Sequence, residues 1–393
     1  MRIERTRYHN LSKNMIKRLF HTFKIFFLCA FFSCGQNSPV KVGSSSIKIK
    51  STASVKGLYL KSARLVSFSD NSFAPIGSVF KVISIKERIV VVDKTKGNAG
   101  LIFDERGRYL NHIYRIGDGP GEYKNLENIY YDQKDGLLIL IPMDYRKKYF
   151  FDLNGNFIRE EKYNENIYYS DLIPSDDFEI LINNGSLNSG DGFQVFENHQ
   201  LITSAIPYVN YLDNTPLDGR NLISKIDEDN FNFTVGNRDT IYRYNAKTRK
   251  IKTDYVFDFE PPISKIDYAN HPSPLEYFVK SQMFIGIFDI FQNDNFLSFT
   301  TFKYPRIKGR LLSKSTNKLF DTEEFIRQEV GDLGFEGILG MGQNGEFIAV
   351  LRAGEDGNWD FSKNKNLEAA LGEMKESGPE EFLLLFFEVG ERD

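Results

Sequence analysis

Cysteine, tryptophan and histidine are scarce in this chain of 393 residues, and that scarcity limits its chemistry. There are two cysteines, one tryptophan and five histidines. Beyond the N-terminal segment the histidines are His112, His199 and His271, none of them in the H-x-x-x-H or H-E-x-x-H spacing that builds a zinc site. The residues therefore predict no histidine- or cysteine-based metal centre.

An excess of basic residues is also missing. Removing the seven basic residues and the one acidic residue of positions 1–33 leaves 43 lysines and arginines against 52 aspartates and glutamates. Because phosphate binding requires a cationic surface, this balance argues against nucleic acid and anionic membrane as partners.

The N-terminal apolar run is too short to be a permanent membrane span. Basic residues precede the run 25–32 (IFFLCAFF), and small residues follow it, which predicts a secretory signal over residues 1–33, with Met15 as the alternative start. The segment Ser33-Cys34-Gly35 resembles the lipobox of bacterial lipoproteins. That resemblance implies that Cys34 is acylated and that residues 34–54, rich in Ser and Lys, form a tether. An ordinary cleaved signal is the alternative.

Acylation of Cys34 leaves the folded domain without a free thiol, since Cys29 lies in the signal. The expected location is the cell envelope, as an outer-membrane lipoprotein that faces the periplasm or the cell surface. The membrane is then a partner only through the lipid anchor.

The chain is rich in a repeat, in which a polar turn leads into a short apolar strand. The six strands begin near Ile89, Leu137, Phe178, Phe231, Phe296 and Phe347, at intervals of 48, 41, 53, 65 and 51 residues. This period, with about four short strands per unit, is typical of propeller blades. We predict an all-β fold over residues 55–393: a six-bladed β-propeller of four-stranded antiparallel blades, with two short helical insertions. An N-terminal strand within 57–68 should close the ring by pairing with the last blade.

One unit resembles a known repeat almost from end to end. The run Gly117-Asp118-Gly119-Pro120-Gly121-Glu122-Tyr123, then 128–132 (NIYYD), 136–139 (GLLI) and 150–157 (FFDLNGNF), looks like an NHL repeat. The segment 239–244 (DTIYRY) is similar to the fourth blade of six-bladed propeller lipoproteins of Bacteroidota. The resemblance implies the fold and an envelope location, and it implies little about activity. The glycine run favours a turn between blades over a nucleotide loop, because Pro120 lacks an N–H and a strand follows.

Four carboxylates are predicted to lie near the propeller axis. Glu127, Asp171, Asp289 and Glu336 stand near the starts of innermost strands, which surround the axis. Carboxylate oxygens suit Ca²⁺, and six-bladed lactonases hold a calcium ion in such a place. Calcium is therefore one prediction for the cofactor. Solvated carboxylates are the alternative, in which case no cofactor is present.

Two long insertions are predicted on the same face of the ring. Residues 260–284 include a helical pattern at 275–283, and residues 352–381 include Trp359 and a helical pattern at 366–376. Loops of this length are uncommon unless functional or disordered. Trp359 suits stacking on a sugar, or else fixes its own loop to the rim. Deleting residues 354–378 is expected to leave the propeller folded.

Two classes of function remain open at this stage. The first is a lipid-anchored binding or scaffolding module, with Glu127, Asp171, Asp289, Glu336, Arg352 and Trp359 at its site and a glycan, a peptide or an envelope protein as partner. The second is a metal-dependent hydrolase or lactonase with carboxylates at the axis. The four axial carboxylates disfavour an anionic ligand unless Lys147, Lys303 or Arg352 from neighbouring loops offsets them, so we expect a neutral or cationic ligand, or a glycan. The sequence favours the first class, because no nucleophile motif or ligand cluster stands out.

Overall fold

Six four-stranded antiparallel sheets form a β-propeller. The computed structural model describes residues 47–49, 52–68, 76–162, 169, 171–175, 177–183, 191–207, 220–235, 238–259, 284–303, 306–354, 358–374 and 382–392. The predicted fold class is confirmed.

Each blade runs from an innermost to an outermost strand, and blade 6 takes its outermost strand from the N-terminal region. Blades 1–3 consist of β3 (Lys81–Ile85), β4 (Arg88–Asp93), β5 (Ala99–Asp104) and β6 (Tyr109–Ile113); β7 (Leu126–Asp132), β8 (Leu137–Pro142), β9 (Lys147–Phe151) and β10 (Phe157–Lys162); β11 (Asp171–Pro174), β12 (Glu179–Ile182), β13 (Asp191–Glu197) and β14 (Gln200–Pro207). Blades 4–6 consist of β15 (Ile223–Lys225), β16 (Asn230–Phe233), β17 (Thr240–Asn245) and β18 (Lys250–Phe257); β19 (Phe284–Gln292), β20 (Phe296–Lys303), β21 (Arg306–Ser313) and β22 (Leu319–Asp321); β23 (Gly334–Met341), β24 (Phe347–Arg352), β25 (Phe382–Glu391) and β2 (Leu58–Val66).

The six apolar runs found in the sequence are the second strands of the six blades. The polar turns follow the predicted chemistry as well. In the turn between β5 and β6, the Asp104 carboxylate accepts the backbone N–H groups of Arg106 and Arg108, and Gly107 has φ +82°. A side chain that caps its own turn, followed by a residue with positive φ, fixes a tight hairpin.

The core is divided among the interfaces between blades. The described residues form six hydrophobic clusters, each shared by two neighbouring blades, including one between blades 6 and 1. Phe103 and Val91 of blade 1 pack in that last cluster against Ile348 and Phe386 of blade 6. The ring is therefore closed by the same kind of apolar packing that holds each other pair of blades.

The N-terminal segment closes the ring, as predicted. β2 pairs antiparallel with β25 from Leu58 opposite Glu391 to Val66 opposite Leu384. Upstream of β2, the strand β1 (Ile47–Ile49) adds in parallel to β18, the outermost strand of blade 4. Ala53 then donates its backbone N–H to the carbonyl of Leu319 in blade 5. Residues 47–49, which lie within the predicted tether, thus contribute a strand to the propeller.

Two α-helices lie among the described residues, and both pack against the cluster between blades 5 and 6. Helix α2 (Lys365–Met374) confirms the helix predicted at 366–376, whereas the one predicted at 275–283 lies outside the described residues. Helix α1 (Thr322–Glu329) was not predicted; it starts where Asp321 accepts the N–H of Glu324 and buries Phe325 and Ile326. No helix in the described ranges is long and apolar enough to cross a membrane.

Candidate functional site

Strand direction defines the two faces of the ring. Innermost strands begin on the upper face, which also carries the connections between blades and the loops from second to third strands; the lower face carries the other turns. The insertion with helix α2 lies between β24 and β25, and is therefore on the upper face.

Three of the four predicted axial carboxylates lie at β-bulges. The register between β7 and β8 shifts at Glu127, that between β19 and β20 shifts across Asp289, and that between β23 and β24 shifts at Glu336. Asp289 also has φ +51°, which is uncommon for a residue other than glycine. Because a bulge interrupts the alternation of side chains, it can turn a carboxylate out of the regular pleat.

Two of these carboxylates are paired with basic side chains. Glu127 forms an ion pair with Lys94, whose Nζ donates to the carboxylate at 2.8 Å; Glu127 is buried and Lys94 is largely shielded from solvent. Glu336 pairs with Arg352, another residue predicted at the site. Neither Lys94 nor its role was predicted from the sequence, because 33 residues separate Lys94 from Glu127.

The third carboxylate, Asp171, is held by the backbone. It is almost fully buried, and it accepts N–H groups from Leu172 at 2.9 Å, Leu222 at 2.6 Å and Ile223 at 3.0 Å. Burial raises the pKa of Asp171 to about 6, although the Lys81 charge and the three N–H groups oppose the rise. Asp171 therefore joins blade 3 to blade 4.

Asp289, the fourth carboxylate, is buried and lies near other charged groups, which together we call the charge layer. It accepts the backbone N–H of Arg220 at 3.1 Å, and burial raises its pKa against the opposing charges of Arg220 and Lys81. Lys81, the first residue of β3, is buried and feels both Asp171 and Asp289. Two acidic and two basic groups thus share this layer. Neither Lys81 nor Arg220 was predicted from the sequence to lie beside these carboxylates.

A pocket of about 310 Å³ opens on the upper face between blades 5 and 6. Its walls include Arg220, Phe288, Asp289, Phe302, Phe335 and Glu336. We call it the upper pocket. It brings together Asp289 and Glu336, whereas Glu127, Asp171 and Trp359 are not among its lining residues.

A second pocket, of about 600 Å³, lies on the lower face and is lined by blades 1 to 4. Its buried end is formed by Lys81, Tyr130 and Leu172, and its rim carries charged residues such as Lys134, Asp177 and Lys225. We call it the lower pocket. None of the six residues predicted to bind a ligand lines it. The signal that was missed is Lys81, which occupies in blade 1 the strand-start position that Asp171 occupies in blade 3.

Trp359 supports its own loop. The indole is partly buried against the cluster between blades 5 and 6, and it stacks on Phe361 with ring centroids 6.2 Å apart. Phe361, Leu367 and Leu371 of the same insertion are buried in that cluster. These three side chains contribute to the core, so deletion of residues 354–378 should reduce stability, and folding of the shortened propeller stays a prediction.

The glycine-rich loop at 117–123 is filled by its own glutamate. The Glu122 carboxylate accepts the backbone N–H of Gly119 at 2.8 Å, and the N–H of Gly117 bonds to the carbonyl of Tyr123 at 3.1 Å. The Glu122 carboxylate thus takes up a backbone N–H group inside the loop. This arrangement agrees with the interpretation as a turn.

A metal ion at the axis would need these same carboxylates as ligands. No three His, Cys, Asp or Glu side chains of the described residues lie close enough to hold a metal ion. Asp171 and Asp289 direct their oxygens at backbone N–H groups, and Glu127 and Glu336 at basic side chains.

The comparison with protein families gives one match. Residues 47–381 match the family described as "Domain of unknown function (DUF4934)". The chain belongs to this family. No curated protein matches the chain.

Two of the solved structures that resemble this chain cover more than four-fifths of it. One is a putative exported protein from Bacteroides fragilis NCTC 9343, with a TM-score of 0.68 and 18% identity, covering 89% of this chain and 100% of that one. The other is a member of the DUF4221 family from Bacteroides vulgatus ATCC 8482, with a TM-score of 0.53 and 10% identity, covering 86% of this chain and 100% of that one. At sequence identities of 18% and 10%, the similarity shows a shared fold only.

Proposed function

We propose that this protein is a lipid-anchored, extracytoplasmic binding module whose upper pocket takes a neutral glycan. The signal pattern of residues 1–33 and the lipobox-like Cys34 support the location, and a structural neighbour described as a putative exported protein agrees with it. A peptide or an envelope protein is the other class of partner.

The upper pocket is the observation that carries this proposal. Phe288, Phe302 and Phe335 offer aromatic surface, and Asp289 and Glu336 offer carboxylate oxygens beside it. Sugar rings stack their apolar faces on aromatic side chains, and their hydroxyl groups donate to carboxylates. Glu336 stays paired with Arg352, so the pocket provides hydrogen-bonding groups without a large uncompensated charge.

Glycan-array binding with the detergent-solubilised full chain tests the proposal. Ile307 lines the upper pocket and is 66% exposed, so Ile307→Ala should fold normally and weaken glycan binding about fivefold, the effect of about 1 kcal/mol of lost contact. Ile158→Ala is the matched control, because Ile158 is an exposed isoleucine on blade 2, away from the pocket.

Two outcomes would count against the glycan assignment. Equal weakening by both alanine variants would show that the upper pocket is not the site. Binding to a peptide array, with no binding to any glycan, would assign the pocket to a peptide partner instead.

A further inference from the structure

The lower pocket has a buried cation at its closed end. Lys81 is 8% exposed and lines this pocket, and its Nζ lies 4.3 Å from the centroid of the Tyr130 ring. Contact with an aromatic face stabilises an ammonium group only in part. The position is thus costly for Lys81 unless an anion is near.

Within the described ranges, no carboxylate forms an ion pair or hydrogen bond with Lys81. Asp171 and Asp289 act on it electrostatically, but their oxygens accept backbone N–H groups from blade 4. Burial lowers the pKa of Lys81, which is the direction expected for an ammonium group that lacks a direct partner. A charge buried without a paired and hydrogen-bonded partner carries a desolvation penalty, which a bound anion offsets.

The charges around Lys81 select the kind of anion. Asp171 and Asp289 nearby repel any anion, and they repel a dianion such as phosphate about twice as strongly as a monoanion, so the site favours a ligand with a single negative charge. Phe178 and Phe231, with Tyr130, give the pocket apolar surface, and about 600 Å³ is the size of a small-molecule site. We propose that the lower pocket binds a monocarboxylate ligand, whose carboxylate pairs with the Lys81 ammonium group.

This site lies on the face opposite the upper pocket, so it stands independently of the proposed function. Acetate is the probe, because it presents the carboxylate alone. The detergent-solubilised full chain is titrated with [1-¹³C]acetate at constant ionic strength, and line broadening of the acetate signal reports binding. We expect broadening of the acetate signal with the wild-type chain, and we expect added sulfate, which is a dianion at neutral pH, not to reverse it. Absence of acetate broadening would overturn the proposal.

The Lys81→Met variant keeps the length of the side chain and removes its charge, and it should weaken acetate binding by about tenfold or more. Lys225→Met, at the rim of the same pocket, is the matched control and should bind acetate as the wild type does. Undiminished binding by Lys81→Met would contradict the assignment. If that variant fails to fold, wild-type chain labelled with ¹³C-lysine and assigned with Lys81→Arg gives the answer, since acetate should shift the Lys81 ε-methylene signal.

Two sources of the carboxylate are separated by a further titration. N-acetyl-triglycine is compared with its C-terminal amide. Tighter binding of the free acid than of acetate, with no binding of the amide, identifies a peptide C-terminus as the ligand. Binding of acetate but not of either peptide identifies a small organic acid.

Discussion

The Asp171 carboxylate accepts a 2.6 Å hydrogen bond from the backbone N–H of Leu222, a residue 51 positions away in the next blade. Two further N–H groups converge on the same carboxylate. These bonds stabilise the ionised form, yet burial outweighs them and keeps the pKa of Asp171 raised. The contact between blades 3 and 4 is therefore sensitive to pH.

The first prediction concerns stability against pH. The pKa of Asp171 is raised from 3.8 to about 6, so its contribution to the free energy of unfolding is complete below pH about 4 and is lost as the pH rises through 6. A shift of this size corresponds to about 3 kcal/mol. In Asp171→Asn, urea unfolding between pH 4 and 7 should show a shallower decline than in the wild type. The exposed Asp118→Asn serves as control, and parallel declines in all three proteins would refute the assignment.

The second prediction concerns ring closure. A chain that begins at residue 73 lacks β2, and with it the buried residues Leu58, Leu65 and Val66. It also exposes the edge of β25. We expect its thermal unfolding midpoint to fall by about 10 °C or more, as measured by circular dichroism. A chain that begins at residue 47 keeps every described strand and should melt like the full chain. Equal midpoints for the two truncations would contradict closure by β2.

The third prediction concerns the upper-face insertion. Phe361→Ala removes a ring that is buried between blades 5 and 6, and should reduce the free energy of unfolding by about 3–5 kcal/mol. Trp359→Ala should cost less, because the indole is only partly buried. Lys363→Ala, exposed on the same segment, should have little effect in the same denaturant titration. A Phe361→Ala protein as stable as the Lys363→Ala protein would contradict this prediction and would indicate that residues 354–378 are dispensable for folding.

The fourth prediction compares two glycines in equivalent turns. Gly107 and Gly155 both have φ near +80° and follow a capping aspartate by three residues. A Cβ at Gly107 would collide with the backbone carbonyl of Ser67, just beyond β2, whereas one at Gly155 would meet only close contacts. Gly155→Ala should cost about 1–2 kcal/mol from its backbone conformation, and Gly107→Ala should cost more. Equal losses in chemical denaturation would show that Ser67 moves aside.

The fifth prediction concerns the anchor. Cys34→Ser should release the protein from the membrane fraction after a high-salt wash, since no second anchoring signal was found in the sequence. Cys29→Ser, in the predicted signal, should remain in the pellet. Retention of the Cys34→Ser protein in the pellet would rule out acylation at this position.

The strands were predictable because their signals are local. Each second strand is a short apolar run after a polar turn, as at Leu137 and Phe347, and the pattern survives in all six blades. Helix α1 also had a local signal, which was overlooked: Asp321 followed three residues later by Glu324 is an N-terminal capping pattern.

The site was less predictable because its chemistry depends on residues distant in the chain. The sequence placed Asp171 near the axis, but it could not show that its oxygens accept N–H groups from residues 222 and 223. Lys81 was not predicted to belong to the site either, because its importance comes from its burial beside Tyr130. These contacts join residues of different blades, and they depend on how the blades pack against each other, which a single sequence does not show.

The N-terminal strands have a consequence for biogenesis. The strand β1 contacts the outermost strand of blade 4, and Ala53 contacts that of blade 5. β2 is itself the outermost strand of blade 6, where it pairs with β25, which ends at Glu391. During synthesis β2 therefore has no native partner until almost the whole polypeptide has been made. A chain that is exported N-terminus first would cross the membrane with its last sheet incomplete, and the ring could be sealed only after the C-terminus has been released.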